Sequence, residues 1–351
     1  FAACDDLGDG LIICDGVTTG GLIDGRNNLD VMIKEDATVT GTNVAVALTG
    51  DGLVYQNKGT VRGTQGVSFI GAGDGGRVTN FCTSTTEATI GDAMILSGGT
   101  IFDNHGQVLS GVNTGDGVEM ADGVILNQFM GHIISRGKSD DPANPNAGIR
   151  VTRSDKMLTI TNTEYIEGEV GIFVDLDNTG QQTLYNHGTI VGTSGIALSL
   201  GGGVDTVFQG GQGIIQGVAD FGDDIDTLFV RDGQGFIVGG PGALFDGGEG
   251  GEDYDAIVFD DSVLTTDLGF LTLIDALTET YELGFLNSDD SPSLIRFRNF
   301  EHFKFGDGIL SFEELVATVP VPLPAAAPLF VGAIALGRFA LRRKKKKASI
   351  A

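Results

Sequence analysis

Three stretches place glycine and aspartate directly before a short alternating apolar run: "GGGVDTVFQ" from Gly201, "GDDIDTLFV" from Gly222 and "GGEGGEDYDAIVF" from Gly247. Glycine permits a tight turn, and aspartate carboxylates beside turn carbonyls make an all-oxygen surface of the kind a hard cation such as calcium accepts. The candidate ligands are Asp205, Asp224, Asp226, Asp253 and Asp255. The same residue types also do purely structural work, because an aspartate at a corner satisfies the turn's own backbone amides. Both readings put these residues at corners rather than inside strands.

A second group surrounds the polar segment "KSDDPANPNAG" at 138–148: Asp140, Asp141, Arg150 and Arg153. Carboxylates set near guanidinium groups can move protons and stabilise anionic intermediates, which is the chemistry of polysaccharide cleavage. The alternative is that these charges are the solvated flank of a loop. No Gly-x-Ser-x-Gly elbow, His-Glu-x-x-His pair or phosphate-binding glycine loop is present, and no Cys–His pairing is favoured by spacing. His105 and His187 occupy equivalent places in two "NHG" copies and lie too far apart to share one ion. Cys4 and Cys14, in "CDDLGDGLIIC", either close a small loop as a disulfide or stand as small core residues, with Cys82 left over.

A repeat must position these groups. "NKGTVRGTQGV" from Asn57 and "NHGTIVGTSGI" from Asn186 share the frame Asn-x-Gly-Thr-x-x-Gly-Thr-x-Gly. Weaker copies begin at Asn80, Asn104, Asn127 and Asn162, so the intervals are 23, 24, 23, 35 and 24 residues. Removing the eleven residues of 138–148 restores the long interval to 24. A period of this length signals a solenoid. Glycine supplies 56 of 351 residues, which opposes helical repeats, and the Leu-x-x-Leu-x-Leu frame of leucine-rich repeats is missing. Short β-branched runs between glycine or asparagine corners predict an all-β chain: a parallel β-helix of ~23-residue coils, right-handed by the crossover rule. The repeated asparagines predict a ladder that bonds one coil to the next.

This organisation divides the chain into an N-terminal cap with the possible disulfide (1–34), the β-helix (35–261), a Phe- and Leu-rich C-terminal β cap (262–316) and a C-terminal segment (317–351). The cap is expected to close the open coil edge, with Phe297, Phe300, Phe303 and Phe305 plugging the core. Seven of the 21 basic residues fall in the last fourteen positions, leaving fourteen against all 47 acidic residues in the body. So acidic a body repels phosphate backbones, which argues against nucleic acid as a partner and favours cations.

The C-terminal segment reads "VPLPAAAPLFVGAIALG" from Val321, then Arg338, "FAL" and the basic run Arg342, Arg343, Lys344, Lys345, Lys346 and Lys347. The apolar stretch from Ala325 to Gly337 has thirteen residues and reaches seventeen at Leu341, the lower limit for a single membrane-spanning helix. The basic run would remain cytoplasmic, with residues 1–320 on the opposite side. The order of Val321, Pro322, Leu323, Pro324 and Ala325, a short apolar segment and a basic cluster resembles the VPLPA variety of the PEP-CTERM sorting signal of Gram-negative bacteria. The resemblance covers about residues 320–347; Arg338 inside the apolar part departs from it. It implies export, a transient inner-membrane intermediate, processing by an exosortase-like transpeptidase, and delivery to the cell surface, outer membrane or extracellular matrix.

The three glycine–aspartate turns resemble the nonapeptide calcium repeats of secreted bacterial β-rolls, although they are not tandem nonapeptides. The repeat region resembles the β-helical passengers of bacterial surface adhesins, which implies a shape more than an activity. The expected function is that of an exported structural or adhesive surface protein, with exopolysaccharide or neighbouring cells as partners. The alternative is a β-helix that binds or cleaves polysaccharide.

Overall fold

Apolar and polar residues alternate with period two inside runs of four or five residues, as in Leu158–Asn162, where Leu158, Ile160 and Asn162 point inward and Thr159 and Thr161 point outward. A run that short cannot bury its apolar face alone, so it stacks on the equivalent run one coil away. In the computed structural model, which describes residues 4–69, 75–152, 155–231, 237–248 and 254–319, that stacking generates a β-solenoid. Among the described residues the first face is a 14-stranded sheet, and the other two faces form a 19-stranded sheet. The first face is parallel from Leu11–Cys14 to His302–Phe305, with an antiparallel strand at each end. One coil, Val54–Asn57, Thr60–Gly63 and Gln65–Phe69, shows the plan of three strands joined by tight corners. Further along, Tyr165–Val174 and Thr189–Ser199 run on through the corner between the second and third faces, with register breaks near Gly168 and Val191.

One continuous apolar core runs from Ile12 to Val319. The corners impose the glycine content. At Gly222, φ is +93° and a Cβ would lie 1.8 Å from the Gly201 carbonyl oxygen; at Gly248, φ is +116° and a Cβ would lie 1.8 Å from the Gly222 oxygen. These glycines stack coil on coil with no space for a side chain.

Both ends carry special structure. At the N-terminal end Cys4–Asp6 pairs antiparallel with Leu11–Cys14, placing Cys4 opposite Cys14, and the two sulfurs are bonded. At the other end the strands Leu268–Asp275, Thr280–Leu286 and Pro292–Arg298 form an antiparallel meander. Its last strand rejoins the third face where Phe245 lies opposite Phe297. The chain then returns to the first face, and His302–Phe305 extends its parallel ladder beyond Ala256–Phe259. The segment 262–316 is therefore an antiparallel insertion followed by one further parallel rung. Phe297, Phe300, Phe303 and Phe305 are all buried, with Phe303 edge-on to Phe297 and Phe305 stacked on Phe259. The helix Phe312–Thr318 ends the described chain, capped by Ser311, whose hydroxyl accepts from the Glu314 amide. No helix of the described residues is long and apolar enough to cross a membrane, and the segment expected to do so lies outside them.

Candidate functional site

The asparagine column is the most regular polar feature. Asn57, Asn80, Asn104, Asn127, Asn162 and Asn186 end successive first-face strands and are fully buried. Each Nδ2 donates to the Oδ1 of the next, at 3.0, 2.9, 2.8, 2.9 and 3.1 Å, and Asn186 donates to Gln209 Oε1 at 3.1 Å. The second Nδ2 hydrogen of several members goes to a carbonyl of the second-face strand in the next coil, such as Gln107 O or Thr189 O. Several Oδ1 atoms also accept the amide two residues on, as Asn57 does from Gly59. This consumes the donors and acceptors an amide has, leaving little for a ligand. The column holds coil to coil.

An acidic column stands at the opposite end of the same strands. Gln182, Asp205, Asp226, Asp255 and Glu301 occupy equivalent places one residue before paired positions of the ladder. The Gln182 amide donates to Asp205 Oδ1 at 2.6 Å, Asp205 to Asp226 Oδ1 at 2.6 Å, Asp226 to Asp255 Oδ1 at 2.7 Å, and Asp255 to Glu301 Oε2 at 2.8 Å. Asp205, Asp226 and Asp255 are fully buried, and among the described residues the second oxygens of Asp205 and Asp226 take no hydrogen bond. Burial pushes the Asp205 carboxyl up to about 8 and the Asp226 carboxyl up to about 9, with neighbouring aspartates adding to both. Asp224 stays exposed, at φ +84°, and accepts from the Gly203 amide at 3.0 Å. Asp253 lies outside the described residues.

The structure thus divides the four described calcium candidates between a buried backbone-binding column and an exposed turn. One oxygen each of Asp205, Asp226, Asp255 and Glu301 already serves the fold. The remaining oxygens of Asp205 and Asp226 are the groups whose chemistry fits either a proton or a hard cation, since a buried carboxylate without a donor must be neutralised.

The described residues bring three carboxylates within 4.8 Å of one another elsewhere, at Asp92 and Asp116 in the corner before the third face and Glu119 on it. Asp116 accepts the Ala147 amide at 2.6 Å, and its own amide donates to Asp92 Oδ1 at 2.7 Å. Burial drives the Asp116 carboxyl up to about 7, against the lowering effect of the Ala147 amide and of Arg150. Glu119 is also raised, first by burial and then by Asp92. Arg150 is the register neighbour of Glu119 and pairs with Asp175 at 2.7 Å. It bonds the inserted loop through Asn144 and the Pro145 carbonyl and lies over the Phe173 ring at 5.1 Å. Of the loop residues singled out from sequence, three are described, and of these only Arg150 joins this cluster. Asp141 turns back on its own loop, accepting from the Ala143 amide at 3.0 Å, Asp140 is exposed, and Arg153 lies outside the described residues. Asp92 and Asp116 were missed, although their separation of 24 residues equals one coil.

His105 is held by Asp103, 2.9 Å from Nε2, and Cys82 is an exposed free thiol. The sorting-motif residues Val321 to Ala325 and the basic run Arg342 to Lys347 lie outside the described residues. No protein-family model matches the chain, no curated protein matches it, and no solved structure matches it.

Proposed function

We propose that this chain is an exported structural or adhesive rod of the bacterial envelope or extracellular matrix, sorted through its C-terminal signal. The observation that carries the reading is that the solenoid's regular polar groups are spent on holding coil to coil. What such a wall offers a partner is length, flatness and negative charge. On this reading the winding is right-handed, residues 317–351 are an address recognised by an exosortase-like enzyme, and the membrane is a stage on the way out. The long side walls then contact exopolysaccharide or neighbouring cells. Binding of the purified protein to cells and to their exopolysaccharide tests the adhesive part, with saturable retention expected; retention at background would remove it.

A second reading, polysaccharide cleavage, is favoured by one arrangement: a carboxyl with pKa near 7 at Asp116, beside Glu119 and Arg150. A general acid is most effective when its pKa is near the working pH. Release of reducing or unsaturated ends from matrix polysaccharide, lost in Asp116→Asn, would establish it. Release that persists in Asp116→Asn would exclude this cluster as its source.

A further inference from the structure

The meander at the C-terminal end contains a hairpin that projects from the body. Every residue from 273 to 279, in "LIDALTE", is exposed, and Leu277 is 96 % exposed, with Leu273 and Ile274 beside it. Single exposed leucines are ordinary on protein surfaces, but three exposed apolar side chains within five residues of one projecting tip present a surface that water does not favour. Asp275 is folded back at the tip, its Oδ1 accepting from the Leu277 amide at 2.9 Å.

The tip sits where the chain leaves the body. Leu273 lies opposite Tyr281, and the Tyr281 ring packs edge-on against Phe312 with centroids 4.8 Å apart. Phe312 opens the helix Phe312–Thr318, and Val319 beyond it is buried in the core. Ala325, the first residue of the apolar stretch, lies only six residues beyond Val319. Six residues span at most about 20 Å. An apolar segment in a bilayer therefore holds this end of the solenoid, and the hairpin with it, against the membrane surface.

We infer that the hairpin tip formed by Leu273, Ile274 and Leu277 is a lipid-contacting foot that seats the C-terminal end of the solenoid on the bilayer while the C-terminal segment is membrane-inserted. This rests on the reading of residues 325–341 as a membrane segment. The apolar side chains enter the boundary between headgroups and acyl chains, and Asp275 remains at headgroup level. The foot fixes how the body stands over the membrane, and with it how the sorting motif between them is presented to a processing enzyme.

The chain contains no tryptophan, so one introduced residue gives a clean optical signal. Leu277→Trp is compared with Leu176→Trp, which lies on a corner midway along the solenoid and is 76 % exposed. Each full-length variant is reconstituted into phosphatidylcholine vesicles, some carrying brominated acyl chains. The expected result is a blue-shifted emission for Leu277→Trp that brominated lipid quenches, while Leu176→Trp keeps a water-exposed spectrum without quenching. An unshifted Leu277→Trp in protein that floats with the vesicles overturns the foot and leaves membrane anchoring intact. Protein that does not float overturns the anchoring reading and the foot together. Emission already blue-shifted before vesicles are added, and unquenched afterwards, means the tip is covered by protein and also overturns the proposal.

Discussion

Replacing Asn104 by aspartate changes one NH2 group to an oxygen and almost nothing in volume, so it isolates the directionality of the asparagine column. Asn104 is fully buried, accepts from Asn80 Nδ2 at 2.9 Å and donates to Asn127 Oδ1 at 2.8 Å. In Asn104→Asp at neutral pH a carboxylate oxygen faces the Asn127 oxygen, two acceptors with no proton between them. The carboxyl escapes by taking up a proton, whose O–H restores the donor. Protonating a group of ordinary pKa about 3.9 at pH 7 costs about 4 kcal/mol, which sets the upper limit of the destabilisation. That cost shrinks by about 1.4 kcal/mol for each pH unit down to about 4. The assay is urea denaturation of the wild type and Asn104→Asp side by side at pH 7, 6 and 5, comparing midpoints at each pH so that the wild type's own titration cancels. A variant deficit that is large at pH 7 and narrows steadily with acidification is expected. No deficit at pH 7, or one that does not change with pH, would show that the column works by shape alone.

The wild type should itself be sensitive to pH. Asp205 and Asp226 keep protons in the folded state that the unfolded chain releases above about pH 4, so their contribution is fully present below that pH and is lost as pH rises toward 8 and 9. Carboxylates held below their usual range, such as Asp24 and Asp307, act in the opposite direction only below about pH 4. Thermal melting in chelator should therefore fall between pH 5 and pH 8, and Asp226→Asn should flatten the slope; a melting temperature that rises over this window refutes the assignment. If calcium occupies the Asp205 and Asp226 oxygens, millimolar calcium raises the pH 8 melting temperature, and calorimetry without calcium-dependent heat removes the site. Gly222→Ala should cost at least about 2 kcal/mol, since the backbone has φ +93° and the Cβ would lie 1.8 Å from a carbonyl oxygen, whereas Gly20→Ala, with nothing within 4 Å, should stay within about 1 kcal/mol of the wild type. Reducing the Cys4–Cys14 bond should speed amide exchange in Leu11–Cys14 and leave the central coils protected, because the bridge closes only the first rung.

The asparagine ladder was legible because a buried, directional hydrogen-bond chain admits few substitutes, so the same residue recurs at the coil period. The solenoid followed from that period together with the glycine corners, and the aromatic end-plug from the density of phenylalanine. The rung His302–Phe305 was not legible, since the meander places 42 residues between Phe259 and His302 and erases the period. The Asp92–Asp116–Glu119 cluster was hidden for a different reason. Asp92 and Asp116 sit in the corner before the third face, outside the strands whose alternation is legible, and only their register across two coils brings them together with Glu119. The acidic turns were found, but sequence did not separate Asp226, whose amide and carboxyl both serve the column, from Asp224 on the exposed turn.

The central claim, a surface rod released from a C-terminal sorting signal, is tested most directly by mapping the C-terminal peptide of the protein recovered from the cell-surface fraction by mass spectrometry. Processing predicts a new C-terminus in or near Val321–Ala325 and no peptide containing the basic run. Recovery of the intact "KKKKASIA" end from the surface fraction would contradict it and make the chain a permanently anchored membrane protein.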